Sequence, residues 1–532
     1  MNGMTTSGPT ASVFMTDFYQ MTSAYALWKS GKHNERAVYD YFYRTPPFGG
    51  VYALFAGLRD LLDYVARFRY TPEKIARMRE LLPRVEPEFF AWLAGLDYSD
   101  VRIYAMREGS LAFPRVPMIR VEGPAAPAQM LETHLLALCN FPSGIMTNAA
   151  RYRVAAGDDK ILLEFGLRRA QDGNRASHYA VLGGFDGTSN VEAAGILGEA
   201  PKGTMMHAFI EMFSRLGDIK NPMLKRVGGA GIAENFTDEV LEFRRLLGYD
   251  NTNDGELAAF IAYALAHPHS FLALVDTYDT LLSGVPNFAC VALALSRFGY
   301  APVGIRIDSG DLAFLSREAR RIFRVSDSAA GTPVVCSRAK IFVSNDVNEA
   351  TLWALRAQPH EINGYGIGTH LVTCEGSPAF NGVYKLVAHG GAARIKLSDT
   401  VEKVTIPGAK DAYRLIGGDG KIILDLMVEA GFPAPSPGEK VFARHPFIEG
   451  KRAHIIPTRV IPLLDLVWDG RIVAALPEPQ AVKRHAEAQM EFLREDHLRP
   501  LNPTPVKVSV SGELYRSMHE LWMREAPVPT LQ

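Results

Sequence analysis

The sequence predicts an α/β protein built around a parallel β/α barrel or a doubly wound sheet. Between residues 160 and 370, six short apolar segments each end in a polar or glycine residue and pass into a helical stretch, the pattern of repeated βα units. Their uneven spacing favours an irregular barrel with insertions. At 532 residues the chain exceeds one ordinary domain of roughly 100–250 residues. Beyond residue 380, apolar and polar residues alternate between glycine turns, the signature of antiparallel strands. The expected division is therefore an N-terminal α+β domain over 1–150, a catalytic barrel over 151–375, and a C-terminal segment over 376–532 that is β-rich and then helical.

The elements follow in order. "TDFYQMTSAYALWKSG" reads as a helix capped by Thr16 and stopped by Gly31, with an apolar stripe of Phe18, Met21, Tyr25 and Trp28. Tyr19 lies about 100° off that stripe, free to face a partner or a cleft. Residues 73–95 read as two further helices, and "SLAFPRVPMIRVEGP" as short strands broken by prolines. The six barrel strands are "KILLEFG", ending at Glu164 and Phe165; "GTMMHAF", carrying His207; "FLALVD", ending at Asp276; "PVGIRIDSGD", ending at Arg306 and Asp308; "KIFVSND", ending at Asn345; and "NGYGIGTH", ending at Thr369. Barrels and doubly wound sheets both place their sites at the carboxyl ends of the strands, where these polar residues fall.

Composition narrows the function. With 57 Lys+Arg against 58 Asp+Glu, the chain lacks the basic excess that non-specific nucleic-acid or anionic-lipid binding needs. The apolar stretch "FACVALAL" is shorter than the ~20 residues of a bilayer helix, and the N-terminus has no secretory pattern. A protein without nucleic-acid or membrane partners is expected. Its 4 cysteines form no CxxC and no zinc spacing, which suits a reducing cytoplasm.

Several segments carry candidate chemistry. In "VGIRIDSGDL", Val303, Ile305 and Ile307 share one strand face and Arg306 points the other way. A guanidinium there suits bidentate binding of phosphate or carboxylate, Asp308 suits ribose hydroxyls or a metal, and "DSGD" leads into a helix whose first amides suit an anion. A strand-end ion pair with an acidic helix cap fits those residues equally well. "YGIGTHL" offers backbone amides and Thr369 for a phosphate, or a plain tight turn. Arg168 and Arg169 follow a strand end or form a solvated basic turn. His207 by itself reads as a hydrogen-bonded core or surface histidine. Its company changes that: arginines, carboxylates and a glycine loop, all at strand ends, suit a ligand bearing phosphates and hydroxyls.

These residues belong to a longer series that resembles nicotinate phosphoribosyltransferase. The series runs in order through "TDFYQMTSAY", "RTPPFGGVYALFAGL", "EGSLAFPRVP", "LLEFGLRRAQ", "GGFDGTSNV", "GTMMHAF", "LVDTYDT", "GIRIDSGDL", "IFVSND", "YGIGTHLVT", "NGVYKL" and "PGAKDAYRL". The resemblance implies a quinolinate phosphoribosyltransferase-like barrel joined to the N-terminal domain, with later strands returning to that domain. It also implies a cytoplasmic homodimer with active sites at the interface. The implied reaction joins nicotinate to 5-phosphoribosyl 1-diphosphate, giving nicotinate mononucleotide and diphosphate, with Mg2+ as cofactor and ATP as co-substrate. By matched position, Tyr19 and Phe165 flank the pyridine ring, Tyr19 from across the interface. Thr204 and Arg306 contact nicotinate, Arg168 and Thr369 contact the phosphoribosyl diphosphate, and Asp308 meets its ribose. His207 is the implied phosphohistidine, and the resemblance names no metal ligand. The nicotinamide-using relative has an aspartate where "GTSNV" has Ser189, so a carboxylate substrate is expected. A barrel lyase or glycosidase, and a catalytically silent binding barrel, are the readings from other classes.

Overall fold

The computed structural model describes residues 11–228, 232–332, 334–398 and 400–527. These form two compact units. The first unit takes in the described residues up to Ala150, Asn174–Gly184, and those from Cys374 onward; the second takes in Arg151–Gly173 and Phe185–Thr373.

Two six-stranded sheets organise the first unit. One is antiparallel throughout, in the order Ala392–Ala393, Gly382–His389, Arg36–Tyr43, Ile119–Pro124, Arg102–Ala105, Asp465–Asp469. Three N-terminal strands are therefore flanked on both sides by C-terminal strands in a single sheet, burying Tyr41, Ile103, Val121 and Tyr384. The other sheet consists of C-terminal strands around the Lys410–Ile416 and Ile422–Glu429 hairpin, over a core of Leu415, Leu424, Leu426 and Ala443. The alternating segment "RVIPLLDLVWDGRIV" is divided between them, Arg459–Pro462 in the second sheet and Asp465–Asp469 in the first.

The first helix runs Phe18–Lys29, but its buried face is Gln20, Met21 and Ala24. Phe18 is exposed, contrary to the expected stripe, because the Gln20 amide turns inward and donates to the Gln129 carbonyl at 2.9 Å. Thr16 does not cap the helix; Asp17 holds that position, and the Thr16 hydroxyl donates to the Gln20 side chain at 2.7 Å.

The second unit contains the parallel sheet, in the order Leu272–Leu274, Gly304–Ile307, Lys340–Val343, Gly364–Ile367, Ile161–Glu164, Gly187–Thr188. Ile305, Ile307, Ile341 and Ile367 are fully buried, as a sheet covered by βα crossovers requires. "GTMMHAF" is not a strand of this ladder, whose sixth member is instead Gly187–Thr188. The Lys202 N–H donates to the Thr188 carbonyl at 2.8 Å, and the Thr204 hydroxyl donates to the Leu272 carbonyl. The run 202–204 thus links the two edge strands with isolated bonds and closes an irregular barrel, while His207 opens a short helix, His207–Glu211.

The helical run Thr280–Arg297 is long and apolar enough by composition to cross a membrane, but 72% of it is buried within this unit, where it packs as a core helix. The four cysteines are buried.

Candidate active site

At the carboxyl ends of the parallel strands lies a cavity of about 660 Å³. Phe165, Arg168, Thr204, His207, Arg306, Asp308 and Thr369 all line it, although they come from distant parts of the sequence. Tyr19 lies in the other unit, half exposed on the first helix. Partial burial and the nearby Glu132 carboxylate push its hydroxyl up to about 12, so it stays protonated at neutral pH.

Strand register places Arg306. Ile305 and Ile307 point into the core, and period-two alternation turns Arg306 to the opposite face. Its guanidinium donates to the Met205 carbonyl at 3.1 Å and lies 5.9 Å from the centre of the Phe165 ring. Its Nε is buried without a hydrogen-bond partner among the described residues. Burial pushes the guanidinium pKa down, against the pull of Asp308 and Asp276. An arginine left short of acceptors costs about 1–3 kcal/mol unless an anionic ligand supplies them.

Phe165 is seated by its backbone, whose N–H donates to the Ile367 carbonyl at 2.8 Å. The ring lies against Gly366, where an added Cβ would come within 2.4 Å of it. Buried Glu164 fixes the turn that follows by accepting from the Gly166 N–H and, at 2.5 Å, from the Thr188 hydroxyl.

His207 and Asp308 face each other at the rim. The His207 Nδ1 is 3.0 Å from the Thr277 hydroxyl, and its Nε2 is 3.7 Å from Asp308 Oδ2, an ion-pair distance rather than a hydrogen bond. Asp308 also accepts from the Ser344 hydroxyl at 2.6 Å, and Asp276 accepts from Ser309 at 2.5 Å. The expected anion cradle at "DSGD" is not there. Asp311 caps the Leu312–Ala329 helix by accepting from the Phe314 N–H at 3.0 Å, and its carboxylate disfavours an anion at those amides.

Thr277, Ser309 and Ser344 were not singled out from sequence. Each is the immediate neighbour of a residue read as a strand end, Asp276, Asp308 or Asn345, and that adjacency was the available signal. Ser189, Asn345, Asp346 and His370 also line the cavity, and Asp346 holds a positive φ of 40°. Among the described residues no cluster of three metal-ligating side chains occurs.

Fold and site together define an α/β barrel with an anion-receiving pocket at the carboxyl ends of its strands. Comparison with known proteins makes this specific. Models of the nicotinate phosphoribosyltransferase N-terminal and C-terminal domains match residues 14–140 and 409–518. The chain is 47% identical to nicotinate phosphoribosyltransferase 2 of Arabidopsis thaliana, over 99% of this chain and 97% of that protein. It is 40% identical to the Homo sapiens nicotinate phosphoribosyltransferase, over 97% and 98% of the two chains. The crystal structure of human nicotinic acid phosphoribosyltransferase superposes with a TM-score of 0.85, at 38% identity, covering 95% of this chain and 99% of that one. Nicotinate-nucleotide pyrophosphorylase from Pyrococcus furiosus shares the fold, with a TM-score of 0.60 at 20% identity over 91% of this chain and 96% of that one. The chain belongs to the nicotinate phosphoribosyltransferase family.

Proposed function

We propose that this pocket joins nicotinate to 5-phosphoribosyl 1-diphosphate, forming nicotinate mononucleotide and diphosphate, the first step of NAD synthesis from nicotinate. The observation that carries the reading is Arg306: half-buried, its Nε buried and without a hydrogen-bond partner among the described residues, beside the Phe165 ring, in one cavity with Arg168 and His207. A flat ring bearing a carboxylate satisfies both groups at once, with the ring on Phe165 and the carboxylate on the guanidinium. Thr204 borders the same subsite. Ser189 in the cavity wall is neutral and leaves the carboxylate unopposed, which favours nicotinate over nicotinamide.

In the transfer, the pyridine nitrogen attacks the anomeric carbon and the carbon–oxygen bond to diphosphate breaks, its electron pair leaving with diphosphate. The pyridine is already a nucleophile, so the protein orients reactants and stabilises charge rather than supplying a strong base. Arg168 and Thr369 receive the phosphates, and Asp308 takes the ribose hydroxyls. Mg2+ would fit beside the substrate's phosphates: Asp308 and Asp346 are the carboxylates lining the cavity, and Asp276, which accepts from Ser309, has an Oδ1 buried without a hydrogen-bond partner among the described residues. The ion supplies neutralisation of the diphosphate's charge.

His207 is the proposed acceptor of the ATP γ-phosphoryl group. A nitrogen–phosphorus bond forms as the bond to ADP breaks, and water later cleaves the phosphohistidine. The protein is further proposed to act as a cytoplasmic homodimer in which Tyr19 reaches the pyridine subsite of the partner copy. The exposed neighbours Phe18 and Tyr19 support that reading, since adjacent exposed aromatics suit an interface.

The test is formation of nicotinate mononucleotide from either base, with and without ATP. The expected result is product from nicotinate, more with ATP, and little from nicotinamide. No product from nicotinate, or a preference for nicotinamide, refutes the reading. For His207, the expected result is acid-labile label from γ-labelled ATP that His207→Ala abolishes; label persisting in that variant refutes the assignment.

A further inference from the structure

Behind the rim that carries His207 lies a buried polar knot with no part in the reaction described so far. Glu256, fully buried in the Asp254–Ala266 helix, accepts from the Ser283 hydroxyl at 2.5 Å and from the Asn287 side-chain amide at 3.0 Å. Both bonds fall on Oε2, and Oε1 is buried with no hydrogen-bond partner among the described residues. Asn253 completes the knot: its N–H donates to Ser283 Oγ at 3.0 Å, and its carbonyl accepts from Asn287 at 3.2 Å. The carboxylates that bear on Glu256 are Asp276 and Asp279, and both oppose its ionisation.

Ser283 sits in a π turn, Thr280–Gly284, between the strand-end loop and the core helix Val285–Arg297. Such turns are energetically poor and persist where something outside them holds the backbone. Two features connect this one to the site. Asp279 caps it, accepting from the Leu281 and Leu282 N–H groups at 3.0 and 2.7 Å. Gly284 lies so close to Val275 that an added Cβ would meet its carbonyl oxygen at 1.9 Å. The Val275 N–H in turn donates to the Arg306 carbonyl at 3.1 Å. Asp276 and Thr277, held between Val275 and Asp279, are the residues that bond Ser309 and His207.

We propose that Glu256 is a positioning residue. By holding Ser283 and the π turn, it fixes the Asp276–Thr277 strand end and with it the orientation of the His207 imidazole. A surface carboxylate would be a poor support for this, but a buried acceptor that draws two donors onto one oxygen has few alternative geometries. The inference rests on the phosphohistidine reading only for its effect on catalysis; the effect on the imidazole itself is separate.

The test uses the full-length enzyme as Glu256→Ala, Glu256→Gln and Ser283→Ala. Ser283→Ala removes the hydroxyl link and keeps the proposal testable should Glu256→Ala not fold. Two readouts are taken: the ATP-dependent increment over basal transfer, and the rate at which diethyl pyrocarbonate modifies the His207 peptide, resolved by mass spectrometry. In Glu256→Ala and Ser283→Ala, the ATP-dependent increment is expected to fall at least about five-fold further than basal transfer, the scale of a small misplacement of a reacting group. His207 modification is expected to change about three-fold or more, as its bond to Thr277 loosens. Glu256→Gln, which keeps an accepting oxygen, is expected to restore both. His207 reactivity unchanged in folded Glu256→Ala and Ser283→Ala overturns the proposal, as does a Gln variant as impaired as Ala. If wild type shows no ATP stimulation but His207 reactivity still shifts, the phosphohistidine reading fails and the positioning role stands.

Discussion

Arg306 and Arg414 are both arginines taken largely out of water, and they are satisfied to opposite degrees. In the first unit, Arg414 donates to both Asp425 oxygens at 2.9 and 2.8 Å, to Gln489 at 2.9 Å and to the Leu111 carbonyl at 2.8 Å. In the second, Arg306 has one bond to a backbone carbonyl and an Nε with no hydrogen-bond partner among the described residues. The chain therefore completes one buried guanidinium with its own acceptors and leaves the other for something that arrives. Saturated networks hold a fold, whereas an incomplete one lining a cavity at the end of a barrel strand marks a candidate site.

The largest effect that tests this contrast is on stability. Arg414→Ala leaves Asp425 buried and uncompensated, so it is expected to lose about 3–5 kcal/mol in denaturant unfolding while activity per folded molecule persists. Loss of less than about 1 kcal/mol, below the cost of one unsatisfied buried group, would break the comparison.

Glu256 belongs between the two cases, half satisfied and remote from the ligand. Burial pushes its carboxyl up to about 7 from 4.5, which makes its ionisation in the folded protein cost about 3 kcal/mol. With the folded value raised, this contribution to stability is fully present below about 4.5 and gone above about 7. Wild type is therefore expected to lose up to about 3 kcal/mol more than Glu256→Gln as pH rises through that window. Parallel stability–pH curves for the two proteins would show that the carboxyl is not held as described.

A smaller effect is expected at Thr369. Removing one hydroxyl from a phosphate contact, by Thr369→Ala, should raise KM for 5-phosphoribosyl 1-diphosphate about ten-fold, the worth of a hydrogen bond to a charged group. An unchanged KM would remove Thr369 from the phosphate site. The smallest effect separates capping from binding: Asp311→Ala should cost about 1 kcal/mol of stability and leave kcat/KM unaltered. A raised KM for the phosphate substrate would restore the anion cradle read from "DSGD".

The strands Ile161–Glu164, Leu272–Leu274, Gly304–Ile307, Lys340–Val343 and Gly364–Ile367 were legible because parallel barrel strands are short apolar runs followed by polar residues. "GTMMHAF" has the same look and is not one of them. Its hydrogen bonds go to single carbonyls on two different edge strands, a tertiary arrangement that no local pattern encodes. The stripe on the first helix failed for a similar reason, because the Gln129 carbonyl makes Gln20 a buried residue from 109 positions away. The site residues were read from strand-end placement together with family likeness; Phe165, Arg168, Thr204, His207, Arg306, Asp308 and Thr369 line one cavity, whereas Tyr19 lies in the other unit. Of their supports, Thr277 and Ser344 offered only adjacency to a strand end and Glu256 offered no signal, because each acts through a contact between segments far apart in the chain.

The most direct test of the account is nicotinate mononucleotide formation by wild type, Arg306→Ala and Arg306→Lys, with thermal melting measured on the same samples. The account predicts product from wild type and a fall in kcat/KM of about 10²–10³-fold in Arg306→Ala. Lysine should give only partial recovery, because an ammonium cannot reproduce the planar fork, and melting should stay within a few degrees throughout. Full activity in Arg306→Ala, or a loss explained by unfolding alone, would contradict it.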